Sequence, residues 1–331
     1  MTTASTKTAF LGIDGGGTQT QCLLVDSSGQ LLAHALGGSA NIRQMTCEEL
    51  HVNLETLIQR TLTQTNTTVK IHAACVGLAG ASSEEAQIQI RSALNRLTLQ
   101  PTLGYLLKTD AEIALSGAYV NQPGNILIAG TGSICYGRAQ DGSLHRTGGY
   151  GPTFDDAGSG SWIGRAAIRI AIQQEDTRLP GAKILNCVKH HFAGSSLSTI
   201  LNGIQNNRIS NQEIARLSPQ IFALAEADDA LAKDILQQAS EALYEMVSTT
   251  ARKTGVDSIA LFGGILHAGS LVRETLTQKL SEIEHPIRIE APSLNALGGA
   301  LIEAYEHSQE ADLQGFLKKL RSLNGTKVCT A

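Results

Sequence analysis

The residues with the clearest chemical potential lie near the start of the chain, from Asp14 to Thr18. Asp14 ends a short apolar run, and Gly15, Gly16 and Gly17 precede Thr18 and a second apolar run. Two short apolar runs joined by a glycine turn predict a strand hairpin. Glycine leaves backbone N–H groups uncovered, and such amides in a concave turn bind phosphate oxyanions. Asp14 is placed to hold Mg²⁺, directly or through water. An ordinary tight hairpin is the alternative.

The same design returns in the middle of the chain. Strands are predicted over residues 125–129 and 134–138, and the loop between them contains Gly130, Thr131, Gly132 and Ser133. Neither glycine loop matches a P-loop or a dinucleotide fingerprint, because the required lysine and third glycine are absent and both loops lead into strands. The repetition indicates two related halves, each with a hairpin whose amides bind phosphate.

A third glycine pair, Gly263 and Gly264, follows a strand predicted over residues 258–262. Two adjacent glycines would let a flat base lie against bare backbone. The alternative for Gly264 is a glycine that begins a helix.

Three aspartates are candidates for acid–base chemistry or sugar binding. Asp110 follows a strand predicted over residues 103–109, at the strand end where ligands bind in α/β sheets. There it could accept the proton of a hydroxyl that attacks a γ-phosphate, although a helix N-cap worth ~1 kcal/mol is its commonest role. Asp155 and Asp156 lie in a glycine-rich loop over residues 148–160. One of them could bind sugar hydroxyls; solvated charges or a helix cap are the alternatives.

The elements that must position these residues form two α/β domains. A three-stranded meander, an amphipathic helix over residues 47–62, a strand over 71–78, a second helix and the strand over 103–109 predict a mixed sheet with helices on its faces. We expect an N-terminal domain over residues 1–118 and a C-terminal domain over 119–306 with a helical insertion at about 159–254. A C-terminal helix at about 307–331 is expected to pack back on the first domain.

Composition limits the classes of partner. The chain has 331 residues, 42% of them hydrophobic and 17% charged, and a net charge of −4. This charge gives no reason to expect nucleic acid or an anionic membrane as partner. No apolar run approaches the ~20 residues that cross a bilayer. The six cysteines are scattered, and we interpret them as mostly buried thiols of a cytoplasmic protein: Cys22, Cys47, Cys75, Cys135, Cys187 and Cys329.

The motifs resemble the actin-like ATPase superfamily in order and spacing. The loops at residues 14–18, 130–133 and 263–264 are similar to its first phosphate, second phosphate and adenosine segments. Further segments, at residues 39–41, 109–111, 148–149 and 156–159, resemble the N-acetylglucosamine kinase and glucosamine kinase branch, the BadF/BadG/BcrA/BcrD-type ATPases.

This resemblance implies a fold, a reaction and roles for residues. It implies two ribonuclease-H-like domains with an active-site cleft between them, ATP and Mg²⁺ as cofactors, and phosphorylation of the 6-hydroxyl of N-acetylglucosamine or glucosamine. It also implies a homodimer. Asp110 would be the base, and residues 130–133 would border both ligands. The residues implied to contact the sugar are Asn41, Asp110, Ser133, Gly149, Tyr150 and Asp156.

Two departures and two alternative functions accompany the resemblance. Gln19 follows Thr18 where a lysine or serine is usual, and Pro152 changes the loop after Tyr150, which puts the sugar in doubt more than the reaction. One alternative is an ATPase that activates an acyl-CoA dehydratase or reductase, although its iron–sulfur cluster needs cysteines that isolated thiols do not supply. The other is a sugar sensor without catalytic activity.

Overall fold

The computed structural model describes residues 6–65, 67–267 and 269–323. The chain divides into two compact units. Unit 1 contains the residues up to Pro123 and those from Ala291 onward, and unit 2 is the continuous segment Gly124–Glu290. The expectation that residues up to 306 belong to the second domain is wrong for residues 291–306, because the helix in this segment packs on the sheet of unit 1.

Unit 1 is built on a mixed sheet. Its strands are β1 (Lys7–Gly15), β2 (Thr20–Asp26), β3 (Leu31–Gly37), β4 (Val69–Leu78) and β5 (Tyr105–Thr109). In the described part of the chain they form one five-stranded sheet in the order β3-β2-β1-β4-β5. The first three strands are antiparallel, while β4 and β5 run parallel to β1. The carboxyl ends of β1, β4 and β5 therefore lie at the same edge.

Helices cover both faces of this sheet. They are α1 (Cys47–Leu62), α2 (Glu84–Asn95), α3 (Asp110–Tyr119) and, after unit 2, α11 (Ala296–His307) and α12 (Leu313–Ser322). One face packs against α1 and α2, and the other packs against α3, α11 and α12. The crossing of α3 and α11 is so close that a methyl group on Gly299 would lie 1.8 Å from the Ile113 carbonyl oxygen.

Unit 2 repeats the sheet and adds a helical region. Its strands are β6 (Gly124–Ala129), β7 (Ser133–Arg138), β8 (Leu144–Gly148), β9 (Ser258–Phe262) and β10 (Arg288–Glu290). Its helices are α4 (Gly160–Glu175), α5 (Lys183–His191), α6 (Leu197–Gln205), α7 (Asn211–Ala215), α8 (Ser218–Glu226), α9 (Ala230–Thr254) and α10 (Leu271–Glu282). Strand order is β10-β9-β6-β7-β8.

The two sheets share one topology. In each, an antiparallel three-stranded meander is extended by two strands that run parallel to its first strand. The prediction of two related mixed sheets flanked by helices is therefore confirmed. Cys329 and the end of the predicted C-terminal helix lie outside the described residues. Among the helices in the described ranges, none is long and apolar enough to cross a bilayer.

Candidate active site

The first glycine turn is tighter than the sequence predicts. β1 continues through Asp14 to Gly15, which pairs with Thr20 in β2. The Gly16 N–H donates to the Gln19 carbonyl oxygen at 2.9 Å. The expectation that all three glycine amides are uncovered is thus wrong for Gly16, because its N–H closes the turn onto Gln19. Gly17 and Thr18 form the exposed tip of the turn.

The glycines of this turn serve different purposes. A methyl group on Gly15 would lie 2.4 Å from a Leu78 side-chain carbon and 2.9 Å from the Ala40 Cβ, so packing favours glycine there. The nearest atom to such a group on Gly17 is the Asn41 amide nitrogen, 3.8 Å away. The fold leaves room for a side chain at Gly17, and this space is what a bound ligand would need.

Asp110 is close enough to Asp14 to affect its charge. Burial, together with the Asp110 carboxylate, raises the pKa of Asp14 to about 7. Burial also raises the pKa of Asp110 and outweighs the hydrogen bond from the Ala111 N–H (3.0 Å) and the attraction of the Arg43 guanidinium. Two carboxyl groups of this kind disfavour a double negative charge, and a divalent cation would relieve their repulsion. The donor set therefore fits Mg²⁺.

Asp110 is not the cap of its helix. Thr109 is the N-cap of α3: its hydroxyl accepts the Glu112 N–H, and the Glu112 carboxylate accepts the Thr109 N–H at 2.8 Å. Asp110 is the first helical residue. The capping alternative for Asp110 is wrong because its neighbour forms the complete capping box.

Asn41 lies beside the glycine turn of unit 1. The preceding residue, Ala40, donates its N–H to the Gly16 carbonyl oxygen at 3.1 Å. The Asn41 side-chain oxygen accepts the Arg43 N–H and caps a short 3-10 helix, Ile42–Gln44. Unit 1 thus brings Asn41 next to Gly17, and Asp14 next to Asp110.

The second glycine loop is braced by the start of α4. The Gly160 N–H donates to the Gly130 carbonyl oxygen at 2.8 Å, and the Ser161 N–H donates to the Thr131 carbonyl oxygen at 3.2 Å. The Ser133 hydroxyl donates to the Ala157 carbonyl oxygen at 2.8 Å. A methyl group on Gly130 would meet nothing within 4 Å. Packing therefore leaves space above Gly130.

A cavity of about 540 Å³ in unit 2 is lined by part of this loop. Its size is typical of a small-molecule site. Besides Gly130, Thr131 and Gly264, which are site residues predicted from the sequence, its wall includes residues of α7 and α8 that were not predicted. The lining residues are Gly130, Thr131, Gly160, Gln212, Ala215, Arg216, Ser218, Pro219, Phe222, Ala223, Glu226, Gly264, Ile265 and His267. The Phe222 and His267 rings meet edge to face at 5.5 Å. The wall thus offers glycine backbone, aromatic rings and charged groups together.

Gly263 and Gly264 are placed differently around this cavity. Gly263 has a φ of +99°, and a methyl group there would lie 2.2 Å from the Ala129 carbonyl oxygen. Gly264 begins a short 3-10 helix, Gly264–Leu266, as the alternative interpretation held, and it also lines the cavity. Of the pair, only Gly264 reaches the cavity wall.

The loop after β8 carries the remaining candidates. Asp155 accepts the Tyr150 N–H, and Asp156 accepts the Gly151 N–H, both at 3.1 Å. Asp156 is buried, has a φ of +55°, and lies against Gly132. It does not cap α4, because Ser159 does so. Asp156 is therefore a buried residue next to the second glycine loop. The Tyr150 side chain, in contrast, is 69% exposed to solvent.

The described cysteines are unpaired. Cys22, Cys75 and Cys135 are completely buried, and burial raises the pKa of Cys22 and of Cys135 to about 12. Cys47 lies on α1 and Cys187 on α5, one in each unit. Across the described ranges, no group of three or more His, Cys, Asp or Glu side chains is arranged to hold a metal ion.

Comparisons with known proteins extend over most of the chain. The model of the BadF/BadG/BcrA/BcrD ATPase family matches residues 11–303. An N-acetylmuramic acid/N-acetylglucosamine kinase of Clostridium acetobutylicum is 30% identical over 266 residues, which are 78% of this chain and 85% of the relative. A glucosamine kinase of Vibrio cholerae is 28% identical over 297 residues, covering 89% and 95%.

A solved structure supports the same fold. A protein of Chromobacterium violaceum, provisionally named an N-acetylglucosamine kinase, superposes with a TM-score of 0.75 at 26% identity. The match covers 90% of this chain and 98% of that protein. The predicted actin-like architecture of two mixed sheets is confirmed by these similarities.

Proposed function

The chain belongs to the BadF/BadG/BcrA/BcrD ATPase family, and on this premise we propose that it is an ATP-dependent amino-sugar kinase. The acceptor is the 6-hydroxyl of N-acetylglucosamine or glucosamine. The relatives from Clostridium acetobutylicum and Vibrio cholerae are both named as amino-sugar kinases. The observation that carries the proposal is Asp110, a carboxyl group at the end of a parallel strand that is not used as a cap and that lies beside Asp14.

In this proposal the cavity of unit 2 binds the adenosine part of ATP. Phe222 and His267 supply apolar and aromatic surface, and Gly264 lets the base approach the backbone. The amides around Gly17 in unit 1 and Gly130 in unit 2 bind phosphate oxygens, because both positions have space and unhindered backbone. Asp14 holds Mg²⁺, directly or through water, and the ion neutralises phosphate charge when bound.

Asp110 acts as the general base. It accepts the proton of the sugar 6-hydroxyl while the hydroxyl oxygen forms a bond to the γ-phosphorus and the bond between that phosphorus and the β-phosphate oxygen breaks, releasing ADP. The raised pKa of Asp110 suits this role, because a carboxylate with a higher pKa is a better proton acceptor.

The proposal keeps the sugar-contact residues that the resemblance implies. Asn41 and Asp156 bind hydroxyls, and Ser133, Gly149 and Tyr150 border the sugar. The position of Asp156 against Gly132 supports it over Asp155, whose carboxylate holds the Tyr150 N–H. One relative is named for N-acetylated sugars and the other for glucosamine, whose amine is free. The cytoplasmic homodimer, with neither nucleic acid nor membrane as partner, stays a prediction.

A coupled assay of ADP release over a panel of sugars tests the proposal. We expect turnover with glucosamine or N-acetylglucosamine above N-acetylmuramic acid and glucose. Turnover of none of the four sugars would refute the kinase function.

The variant Asp110→Asn tests the base. We expect kcat to fall by about 10²–10⁴-fold, with ATP affinity nearly unchanged, because the amide cannot accept the proton. Asp234→Asn, on the exposed face of α9, is the matched control and should retain full activity. A fully active Asp110→Asn enzyme would exclude Asp110 as the base.

The activator alternative has less support. An iron–sulfur cluster shared between subunits needs cysteines at a surface, and Cys22, Cys75 and Cys135 are completely buried. Iron analysis of the purified protein distinguishes the two functions, since stoichiometric iron would favour the activator.

A further inference from the structure

Arg146 makes an unusual set of contacts with the loop that follows β8. Its Nε donates to the Gly148 carbonyl oxygen at 2.8 Å, and a terminal nitrogen donates to the Gly149 carbonyl oxygen. The same guanidinium lies over the Tyr150 ring, with its carbon 4.3 Å from the ring centroid. One side chain therefore contacts three consecutive residues.

The backbone of this loop needs such support. Gly148, Gly149 and Gly151 have φ values of +75°, +77° and +99°. β8 ends at Gly148, so the residues beyond it have left the sheet ladder. Asp155 and Asp156 accept the N–H groups of Tyr150 and Gly151. Arg146 thus satisfies carbonyl groups, while the two aspartates satisfy amides.

Helix α9 holds Arg146 and its strand in place. Lys253 donates to the Arg146 carbonyl oxygen at 3.1 Å, and the Thr250 hydroxyl donates to the Thr147 hydroxyl at 2.9 Å. A methyl group on Gly148 would lie 2.3 Å from the Met246 sulfur. The loop is therefore fixed from the helix as well as from the strand.

Core packing does not account for this arrangement. Tyr150 is 69% exposed, so its ring is held in one place without burying most of its surface. Ordering a side chain and its backbone costs conformational entropy, which burial of a core residue would normally offset. The Arg146 guanidinium holds the exposed Tyr150 ring, and two aspartates hold the backbone N–H groups of Tyr150 and Gly151. A fixed and exposed aromatic ring is better suited to contacting a ligand than to packing in a core.

We propose that Arg146 is a positioning residue that fixes Gly149 and Tyr150 in the conformation that binds the sugar. This rests on the proposed kinase function. The planar guanidinium can serve two carbonyl groups and an aromatic face at once, whereas an ammonium group is a compact point charge. The effect of Arg146 therefore falls on sugar binding and not on ATP binding or on the phosphate transfer itself.

Steady-state kinetics with Arg146→Lys and Arg146→Ala test this role. We expect the KM for the sugar to rise about tenfold, equivalent to one lost interaction, while the KM for ATP and kcat stay within about twofold. Arg208→Ala, an exposed arginine of the same unit, is the matched control. An equal rise in both KM values, or a loss of kcat alone, would overturn the proposal.

A double-mutant cycle with Tyr150→Leu adds a readout that a purely structural role would not move. If Arg146 acts through Tyr150, the double variant should have a sugar KM within about twofold of that of Arg146→Ala, since contacting residues are not additive. Fully additive effects would contradict the proposal.

Hydrogen exchange separates this inference from the kinase function. In Arg146→Ala we expect faster exchange of the Tyr150 and Gly151 amides, with α9 unchanged, whichever sugar is the substrate. Faster exchange in a protein that phosphorylates no sugar would refute the kinase function alone. Unchanged exchange in an active kinase would refute the role of Arg146 alone.

Discussion

Gly263 and Gly264 are adjacent glycines whose surroundings differ. Gly263 has a backbone conformation that side chains disfavour, and the Ala129 carbonyl oxygen occupies the place of its side chain. Gly264 has no atom within 4 Å of that place and faces the cavity. The fold explains the first glycine, and the proposed nucleotide site would explain the second.

The variant Gly264→Val should separate nucleotide binding from folding. No atom lies within 4 Å of the place of its Cβ in the free protein, so we expect the free energy of unfolding to change little. It would occupy the space of the base, and we expect the KM for ATP to rise at least about tenfold, or by ~1.4 kcal/mol. Isothermal calorimetry with ADP and kinetics with ATP measure the effect.

Gly263→Ala is the contrasting control. The positive φ and the clash with Ala129 should lower the free energy of unfolding by roughly 2–4 kcal/mol. If Gly264→Val retained normal ATP affinity, the cavity would not be the nucleotide site.

At the scale of elements, the turn between β2 and β3 depends on a buried charge. One oxygen of Asp26 accepts the Ser28 hydroxyl at 2.6 Å, the Ser28 N–H at 3.0 Å and the Gln30 N–H at 3.1 Å. Lys7 lies 3.6 Å from the other oxygen. Burial alone would raise the pKa of Asp26, but these hydrogen bonds and the ion pair hold it below its ordinary value.

This lowered pKa predicts a loss of stability in acid. Because the unfolded chain binds the proton more tightly, the contribution of Asp26 is present above about pH 3.9 and disappears as the pH falls through the lower folded-state pKa. Asp26→Asn should therefore cost about 2 kcal/mol at pH 7 and progressively less below pH 4. Urea unfolding over pH 2–7 measures this, with Asp234→Asn as the exposed control; a constant difference would contradict the prediction.

The sequence predicts those elements whose local pattern agrees with their packing. Helix α1 spans Cys47–Leu62 as expected, because Leu50, Leu54 and Ile58 recur at helical spacing and are all buried. β9 was likewise predicted over its observed range. In contrast, the residues of β8 are mostly half-buried and none is fully buried, so its sequence lacks the apolar pattern of a buried strand.

What the sequence could not predict depends on contacts between distant segments or on choices between equivalent neighbours. Thr109 and Asp110 are both good N-caps, and the only local signal is Glu112, three residues after Thr109, which completes the capping box. Arg216 and His267 meet in one cavity from segments about 50 residues apart. No local sequence pattern predicts that two such segments line the same cavity.

At the scale of the whole molecule, unit 1 is assembled from both ends of the described chain. Phe316 of α12 is 1% exposed, stacks on Tyr305 at 4.0 Å and meets Phe10 of β1 edge to face at 6.0 Å. The core of this face includes residues from β1, β2, β4, α3, α11 and α12. The core of unit 2 comes instead from one continuous segment.

These separate cores predict separable unfolding. Trp162, the single tryptophan of the sequence, lies on α4 and packs against the core of unit 2, so its fluorescence reports on that unit. Phe316→Ala should lower the stability of unit 1 by roughly 3–5 kcal/mol through the cavity it leaves. In urea, circular dichroism should then show an earlier transition, while the midpoint of Trp162 fluorescence stays the same.

Two matched perturbations of unit 2 complete this test. Leu276 of α10 is completely buried, and Leu276→Ala should shift the fluorescence midpoint to lower urea. ADP should shift the same midpoint to higher urea, since a ligand that binds only the folded unit stabilises it by mass action. If Phe316→Ala moved the fluorescence midpoint as far as Leu276→Ala does, the units would unfold as one cooperative body. The stability of the proposed nucleotide cavity would then depend on the chain ends that complete unit 1.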